Sequence, residues 1–324
     1  MRWKIPSLAV VMLASSPAQS EQPRDIAPRT ELYAIQSLTL SDEQFLQGDA
    51  NGKPVTISAQ LRIAQGTGRL PLVILQHGSS GYAANIDYWT RTLNAAGIST
   101  LALDGMTGRG LIEVNSNQAL LGRLNFILDI YRALGTVASH PRVDPKRVVL
   151  MGFSRGGQAA LYASLKRFNR MWNNSGVEFA AYVPFYPDCV TTFVSDTEVA
   201  NRPIRIFGGA KDDYNSTSAC RSYLERLRAA GADATLTEYP EAAHAFDNPL
   251  GARPAAVSPE FQSARNCKIH EREGVLVNAE TNQPFTYQDA CVALGPHLGY
   301  DPEAAKAATE AVTAFLGSLF ADSR

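Results

Sequence analysis

The stretch "VVLMGFSRGGQAALYASL" holds one serine, Ser154, between Gly152 and Gly156. An apolar run ends at the first glycine and a helix-like pattern follows the serine. That arrangement is needed where a strand turns so sharply into a helix that flanking side chains would collide. A serine at such an apex presents its hydroxyl outward. The hydroxyl is a weak nucleophile near neutral pH, so it needs an imidazole to take its proton and a carboxylate to orient the imidazole. Glycine and serine are common enough for the spacing to arise by accident in about one chain of this length in ten. The rest of the sequence must therefore supply the other two groups.

Both have candidates just past apolar runs of strand length. Asp212 and Asp213 follow "PIRIFGGAK", and His244 follows "TEYPEAA". Asp212, at G-x-x-D spacing from Gly209, is the preferred acid. Asp213 is read as a solvated or loop-fixing charge, and Asp188, after "AAYVPF", is a third choice. Of the other histidines, His140 and His270 sit away from strand ends, His297 lies in an irregular tail, and His77 is read as a scaffold residue of its loop. A tetrahedral oxyanion also needs amide donors, usually the amide after the nucleophile and one from a loop after an early strand. Arg155 supplies the first, and Ser79 or Ser80 in "QHGSSG" the second. Chemistry of this kind needs no metal and no organic cofactor, and the four cysteines contain no C-x-x-C pair of the zinc type.

These residues need a scaffold whose strand ends converge. After a polar start, "ELYAIQSLTL" and "VTISAQLRIA" alternate and read as an antiparallel pair joined through the turn-like "DANGKP". Then come the apolar runs "LPLVILQ", "ISTLALD", "RVVLMGF", "EFAAYVPF", "PIRIFGG" and "ATLTEYP". Helix-length segments such as "NIDYWTRTLNAAG", "ALLGRLNFILDIYRALGTVAS", "GQAALYASLKRF" and "SACRSYLERLRAAG" lie between them. Continuous apolar strands alternating with helices argue for an α/β architecture, a mostly parallel, doubly wound sheet with helices on both faces. No repeat or linker divides residues 21–324, so they are expected to form one domain. Residues 248–302 lack a clear period and read as an excursion before the final helix, "PEAAKAATEAVTAFLGSLF".

The composition sets outer limits. With 324 residues, 45% of them hydrophobic and 19% charged, the chain can bury a substantial core. Residues 1–20 combine Arg2 and Lys4, a short apolar run and a small-residue "AQS" site, the pattern of a secretory signal peptide. The run is too short for a membrane anchor. Its removal takes two basic and no acidic side chains, leaving a formal charge of -3 and no clustered basic surface for nucleic acid. In a periplasmic or secreted protein, cysteines tend to pair. Proximity in sequence favours Cys267 with Cys291, which leaves Cys189 with Cys220.

The order serine, aspartate, histidine is that of the α/β-hydrolases. The segments "HGSSG", "LDGMTGRG", "DPKRVVLMGFSRGG", "GGAKDD" and "EAAHAFDNP", which span nearly all of the chain after residue 20, resemble the dienelactone hydrolase family. The resemblance implies an α/β-hydrolase fold, and it carries the family's acid and histidine onto Asp212 and His244. Founding members use a cysteine nucleophile, where this chain has Ser154, so a serine esterase of small carboxylic esters or lactones is expected. The resemblance also sets Arg109 near the arginine that founding members use for a substrate carboxylate. Binding backbone carbonyls of its own loop is the alternative role for Arg109. Arg155 is a candidate second cation at the mouth. Tyr82, Trp89, Tyr186, Tyr214 and Phe246 are candidate walls, Tyr82 and Tyr186 foremost. Two other functions fit the same fold: a peptidase, and a binding protein without catalysis. The expected partner is a small molecule, with no nucleic acid and no membrane.

Overall fold

In the computed structural model, which describes Met1 and residues 27–321, eight strands share one sheet. They are β1 (Arg29–Thr39), β2 (Lys53–Ile63), β3 (Leu70–Gln76), β4 (Ser99–Asp104), β5 (Val143–Phe153), β6 (Ala181–Phe185), β7 (Ile204–Gly209) and β8 (Ala234–Tyr239). Their spatial order is β1-β2-β4-β3-β5-β6-β7-β8. The first two strands pair antiparallel from Arg29 opposite Ile63 to Thr39 opposite Lys53, and β2 runs antiparallel to β4. All other neighbours are parallel.

Alternation along the central strands divides the core in two. Leu72, Ile74, Leu101, Leu103, Val148 and Leu150 face one layer, and Val73, Leu75, Ala102, Val149 and Met151 face the other. Against the first layer pack α1 (Asp42–Gln47), α3 (Asn125–Val137), α4 (Arg155–Tyr162), α5 (Lys166–Trp172) and α6 (Thr217–Ala229). Against the second pack α2 (Ala84–Ala95) and α7 (Pro302–Ala321). Because side chains of a strand point alternately to its two faces, strands buried on both sides must read as unbroken apolar runs. The fold is α/β, doubly wound, and of the α/β-hydrolase type. Among the described residues no helix is long and apolar enough to cross a membrane.

Several expectations need correction. Between β1 and β2 lies α1, a helix of six residues that is closed by a capping box between Ser41 and Gln44. "GQAALYASLKRF" is two helices, because the chain leaves the helical path at Leu165, which bridges to Val199. In "ALLGRLNFILDIYRALGTVAS" the α-helix starts only at Asn125, beyond Gly122.

The segment 248–302 is not irregular throughout. It contains short pairs, Ala256–Val257 with His297–Leu298 and Gln262–Ser263 with Ala293–Leu294, and a hairpin of Ile269–Arg272 with Val275–Asn278. Pairs two residues long leave no period to read. The hairpin turns through Glu273 and Gly274, both at positive φ, without the Asn-Gly or Asp-Gly that usually marks such a turn. Disulfides join Cys189 to Cys220 and Cys267 to Cys291, with Cα atoms 5.1 and 4.9 Å apart. The expected signal peptide, 1–20, lies outside the described residues apart from Met1.

Candidate active site

Strand β5 delivers Ser154 and α4 carries the chain away from it. Ser154 sits at φ 55° and ψ -117°, a left-handed conformation that a non-glycine residue adopts only when its surroundings enforce it. The flanking glycines show how they enforce it. A Cβ on Gly152 would stand 2.0 Å from the carbonyl oxygen of Gly156, and one on Gly156 would stand 2.2 Å from that of Gln76. The turn closes only because neither position has a side chain. The Ser154 N–H is anchored by donation to the Phe185 carbonyl at 3.0 Å.

The loops after β7 and β8 bring two more groups to the serine. His244 Nε2 lies 2.9 Å from Ser154 Oγ, and His244 Nδ1 lies 2.7 Å from Asp212 Oδ2. Both side chains are buried. The second Asp212 oxygen accepts the N–H groups of Tyr214 and Asn215, each at 2.8 Å, which fixes the carboxylate. A carboxylate can only accept, so Nδ1 carries the proton and Nε2 is left to accept from the serine. The rings of Tyr186 and Tyr214 lie 4.7 and 4.6 Å from the His244 ring and restrict it. Asp213 is not part of this chain. It takes the N–H and Nδ1 of His297, and it tethers the late segment. Asp188 pairs with Arg123.

His77 is buried, and its Nε2 accepts the Gly105 N–H at 3.1 Å while Nδ1 donates to the Gly78 carbonyl at 2.8 Å. Those partners require the neutral ring, and burial holds the His77 pKa below its usual value. The loop carrying Ser79 and Ser80 is thereby tied to the loop after β4. Arg155 is the first residue of α4, where N–H groups have no partner within the helix. Ser79 and Ser154 line both of two small chambers, Ser80 lines one of them, and Arg155 lines the other.

Five side chains stand away from the expected places. Arg109 does not reach a chamber: its guanidinium donates to both oxygens of buried Asp129, to the Gly105 and Leu38 carbonyls and to Thr39 Oγ1. These acceptors use all five N–H donors of an arginine, so it fastens the loop after β4 to β1 and α3. Arg155 is not a free cation at the mouth. Its guanidinium donates to Ser79 Oγ, the Leu121 and Gly122 carbonyls, and Gln118 twice. Tyr82 is 43% exposed and lines neither chamber. Trp89 and Phe246 belong to the core, whereas Tyr186 and Tyr214 do line the site.

One buried group carried no sequence signal. Asp247 accepts from Tyr186 Oη at 2.7 Å and from Trp89 Nε1 at 2.6 Å, while Asn85 donates to Tyr186 Oη at 3.2 Å. Burial pushes the Asp247 carboxyl up, and the donated hydrogen bonds oppose that. This set holds the Tyr186 ring against His244. Its only trace in sequence is an aspartate three residues past the histidine, a spacing with no recognised chemistry.

Comparison with known proteins agrees with this architecture. Residues 59–320 match the model of the dienelactone hydrolase family. No curated protein matches the sequence. Among solved structures, a protein of Klebsiella pneumoniae subsp. pneumoniae assigned as a dienelactone hydrolase is similar at 18% identity. It has a TM-score of 0.56, and the match covers 89% of this chain and 99% of the other. A dienelactone hydrolase-like promiscuous phosphotriesterase from metagenomic libraries is 15% identical with a TM-score of 0.57, over 90% of this chain and 98% of the other. At such identities the likeness speaks for the fold.

Proposed function

The chain belongs to the dienelactone hydrolase family, and on that premise we propose that it is a serine hydrolase of small carboxylic esters or lactones working through an acyl-enzyme. The observation that carries this reading is the unbroken chain from Ser154 Oγ through His244 to Asp212, at 2.9 and 2.7 Å.

Ser154 Oγ attacks the carbonyl carbon as its proton passes to His244 Nε2. Asp212 stabilises the resulting imidazolium. The carbonyl oxygen, now an oxyanion, takes N–H donors from Arg155 and from Ser79 or Ser80. Collapse breaks the bond to the alcohol oxygen, which leaves with the proton from Nε2. Water then attacks the acyl carbon, gives its proton to Nε2, and releases the acid as Ser154 regains its hydrogen.

The chambers beside Ser154, about 60 and 20 Å³, suit small substituents on the two sides of an ester bond. Residues 21–324 are proposed as one catalytic domain. The two disulfides support an exported protein, periplasmic or secreted, since such bonds persist in oxidising compartments.

A fluorophosphonate probe tests the reading. The parent protein is expected to be labelled and to hydrolyse short esters, and Ser154→Ala to lose both. His244→Ala should lower turnover on the order of 10⁵-fold or more, with no further loss in the double variant, and Asp212→Asn by roughly 10⁴-fold. A folded parent protein without labelling or turnover would favour a binding role.

A further inference from the structure

The N–H groups that would meet an oxyanion belong to distant parts of the chain, the loop after β3 and the start of α4. A Cβ on Gly78 would stand 2.9 Å from the Ser154 Cβ, so the backbone of that loop runs against the serine, and Ser79 carries the next amide along it. On the serine-hydrolase reading, on which this inference rests, the Ser79 and Arg155 amides must converge on one oxygen. Neither β3 nor α4 by itself sets the distance between them.

Gln118 joins the two residues. It is 5% exposed and opens the short turn Gln118–Leu120 between β4 and α3. Its Oε1 accepts from Ser79 Oγ at 3.1 Å and from Arg155 Nη2, while Arg155 Nε donates to Ser79 Oγ at 3.2 Å, which closes a triangle of side chains. The Gln118 carbonyl also accepts from Arg155 Nη2, at 3.1 Å. An arginine has no acceptor, so the amide atom that faces it is the oxygen, and Nε2 is turned toward Tyr214. There Nε2 donates to Tyr214 Oη at 2.9 Å, and the tyrosine hydroxyl donates in turn to Asn115 Oδ1 at 3.3 Å. The Tyr214 ring lies 4.6 Å from the His244 ring, and its N–H holds Asp212. One side-chain amide therefore links both oxyanion residues to the group that steadies the imidazole. Both of its ends are used within the protein, so it acts through these neighbours and not on the substrate.

We propose that Gln118 is a positioning residue, which sets the Ser79 and Arg155 amides at the spacing a tetrahedral oxyanion requires and keeps that pair in register with His244. Preorganised donors count most where charge develops, in the transition state, so the effect of Gln118 falls on kcat and not on substrate binding.

Gln118→Met tests this, because it keeps the length of the side chain and removes both ends of the link. With a short ester as substrate, kcat per active site, counted by fluorophosphonate labelling, should fall on the order of 10²-fold, as for the loss of one oxyanion donor, while KM stays within about twofold. Propylboronic acid, which forms a tetrahedral adduct on a serine, should bind about tenfold or more weakly. A merely structural brace would lower the melting temperature and the number of active sites but leave kcat per site and boronate affinity unmoved. Gln118→Glu retains the acceptor for Ser79 and Arg155 and should recover most of the lost kcat. Adding Ser79→Ala, which cuts the same link and leaves the Ser79 amide in place, should cost Gln118→Met little more, since members of one network are not additive. Gln118→Asn, too short to span its partners, provides the same comparison if the methionine variant folds poorly. Parental kcat and boronate affinity in a folded variant, a loss confined to KM, a glutamate variant no better than the methionine one, or full additivity with Ser79→Ala would each overturn the proposal. A parent protein with no Ser154-dependent hydrolysis would overturn the serine-hydrolase reading as well, and so distinguishes the two failures.

Discussion

The turn around Ser154 and the segment from 248 to 302 wall the same two chambers, yet they are held in opposite ways. The turn is built from neighbours in sequence and from strands buried on both faces, and its geometry is enforced by backbone atoms too close together to admit a Cβ. The late segment contributes Asn248, Gln262, Ala264, Tyr287 and Leu298 to the walls, and its strand pairs are two to four residues long. It is fastened by the Cys267–Cys291 bond, by Asp213 on His297, and by Arg265 donating to the Asp213 carbonyl. Backbone sterics fix the turn at Ser154, while a disulfide within the late segment and the contacts it makes with Asp213 fix much of the chamber wall. The wall can therefore change without disturbing the strained turn.

If that contrast is right, the turn tolerates least. Gly156→Ala should cost more than about 4 kcal/mol, the range of severe overpacking, because its Cβ would meet two carbonyl oxygens of the chain near β3 at 2.2 and 2.4 Å. Chemical denaturation checks this, and a near-parental midpoint would mean that the turn can relax.

The loop after β4 should come next. Arg109→Gln removes one partner of a buried ion pair and should cost about 3 kcal/mol. Any loss of turnover should fall equally on esters with and without a carboxylate. A selective loss on the charged ester would return Arg109 to substrate recognition.

In the late segment, replacing Cys267 and Cys291 together by serine should cost about 2–3 kcal/mol by loosening the unfolded-state constraint. Its effect on catalysis should appear in KM before kcat, as expected for a wall. Thermal unfolding and steady-state kinetics on one preparation decide this.

The smallest effect belongs to Asp213→Asn, less than about 1 kcal/mol because the pair with His297 is partly exposed. Burial pushes the Asp213 carboxyl up, but the His297 N–H, its ring and Arg265 outweigh that and hold it below the usual value. A carboxyl lowered by folding stabilises the protein above its unfolded pKa, and this contribution is lost as pH falls through the folded one. The gap between parent and variant should therefore close as pH drops below about 4. A gap that widened in acid would reverse the assignment.

The same contrast explains what could be read from the sequence. The strands of the central sheet are legible because burial on both faces forces unbroken apolar runs, and Gly152, Ser154 and Gly156 because their steric problem has one local solution. The loops after β7 and β8 could be found because ligands gather at the carboxyl ends of parallel strands. Arg109 shows the limit. Its place beyond a strand end suits a ligand contact as well as a brace, and only the position of Asp129 on α3 decides between them. Asp247 and Gln118 are not legible for the same reason, since what makes each matter is a partner far away in the chain.

The role of Ser154 as the nucleophile is tested most directly by trapping its acyl form. An activated acetate ester is mixed with the parent protein, quenched in acid within the first turnovers, and the digest is read by mass spectrometry. The expected result is an acetyl group on Ser154, formed rapidly and lost on dilution into buffer, and not formed in His244→Ala. Steady hydrolysis with no acyl adduct on Ser154, or an adduct on another residue that persists in Ser154→Ala, would contradict it.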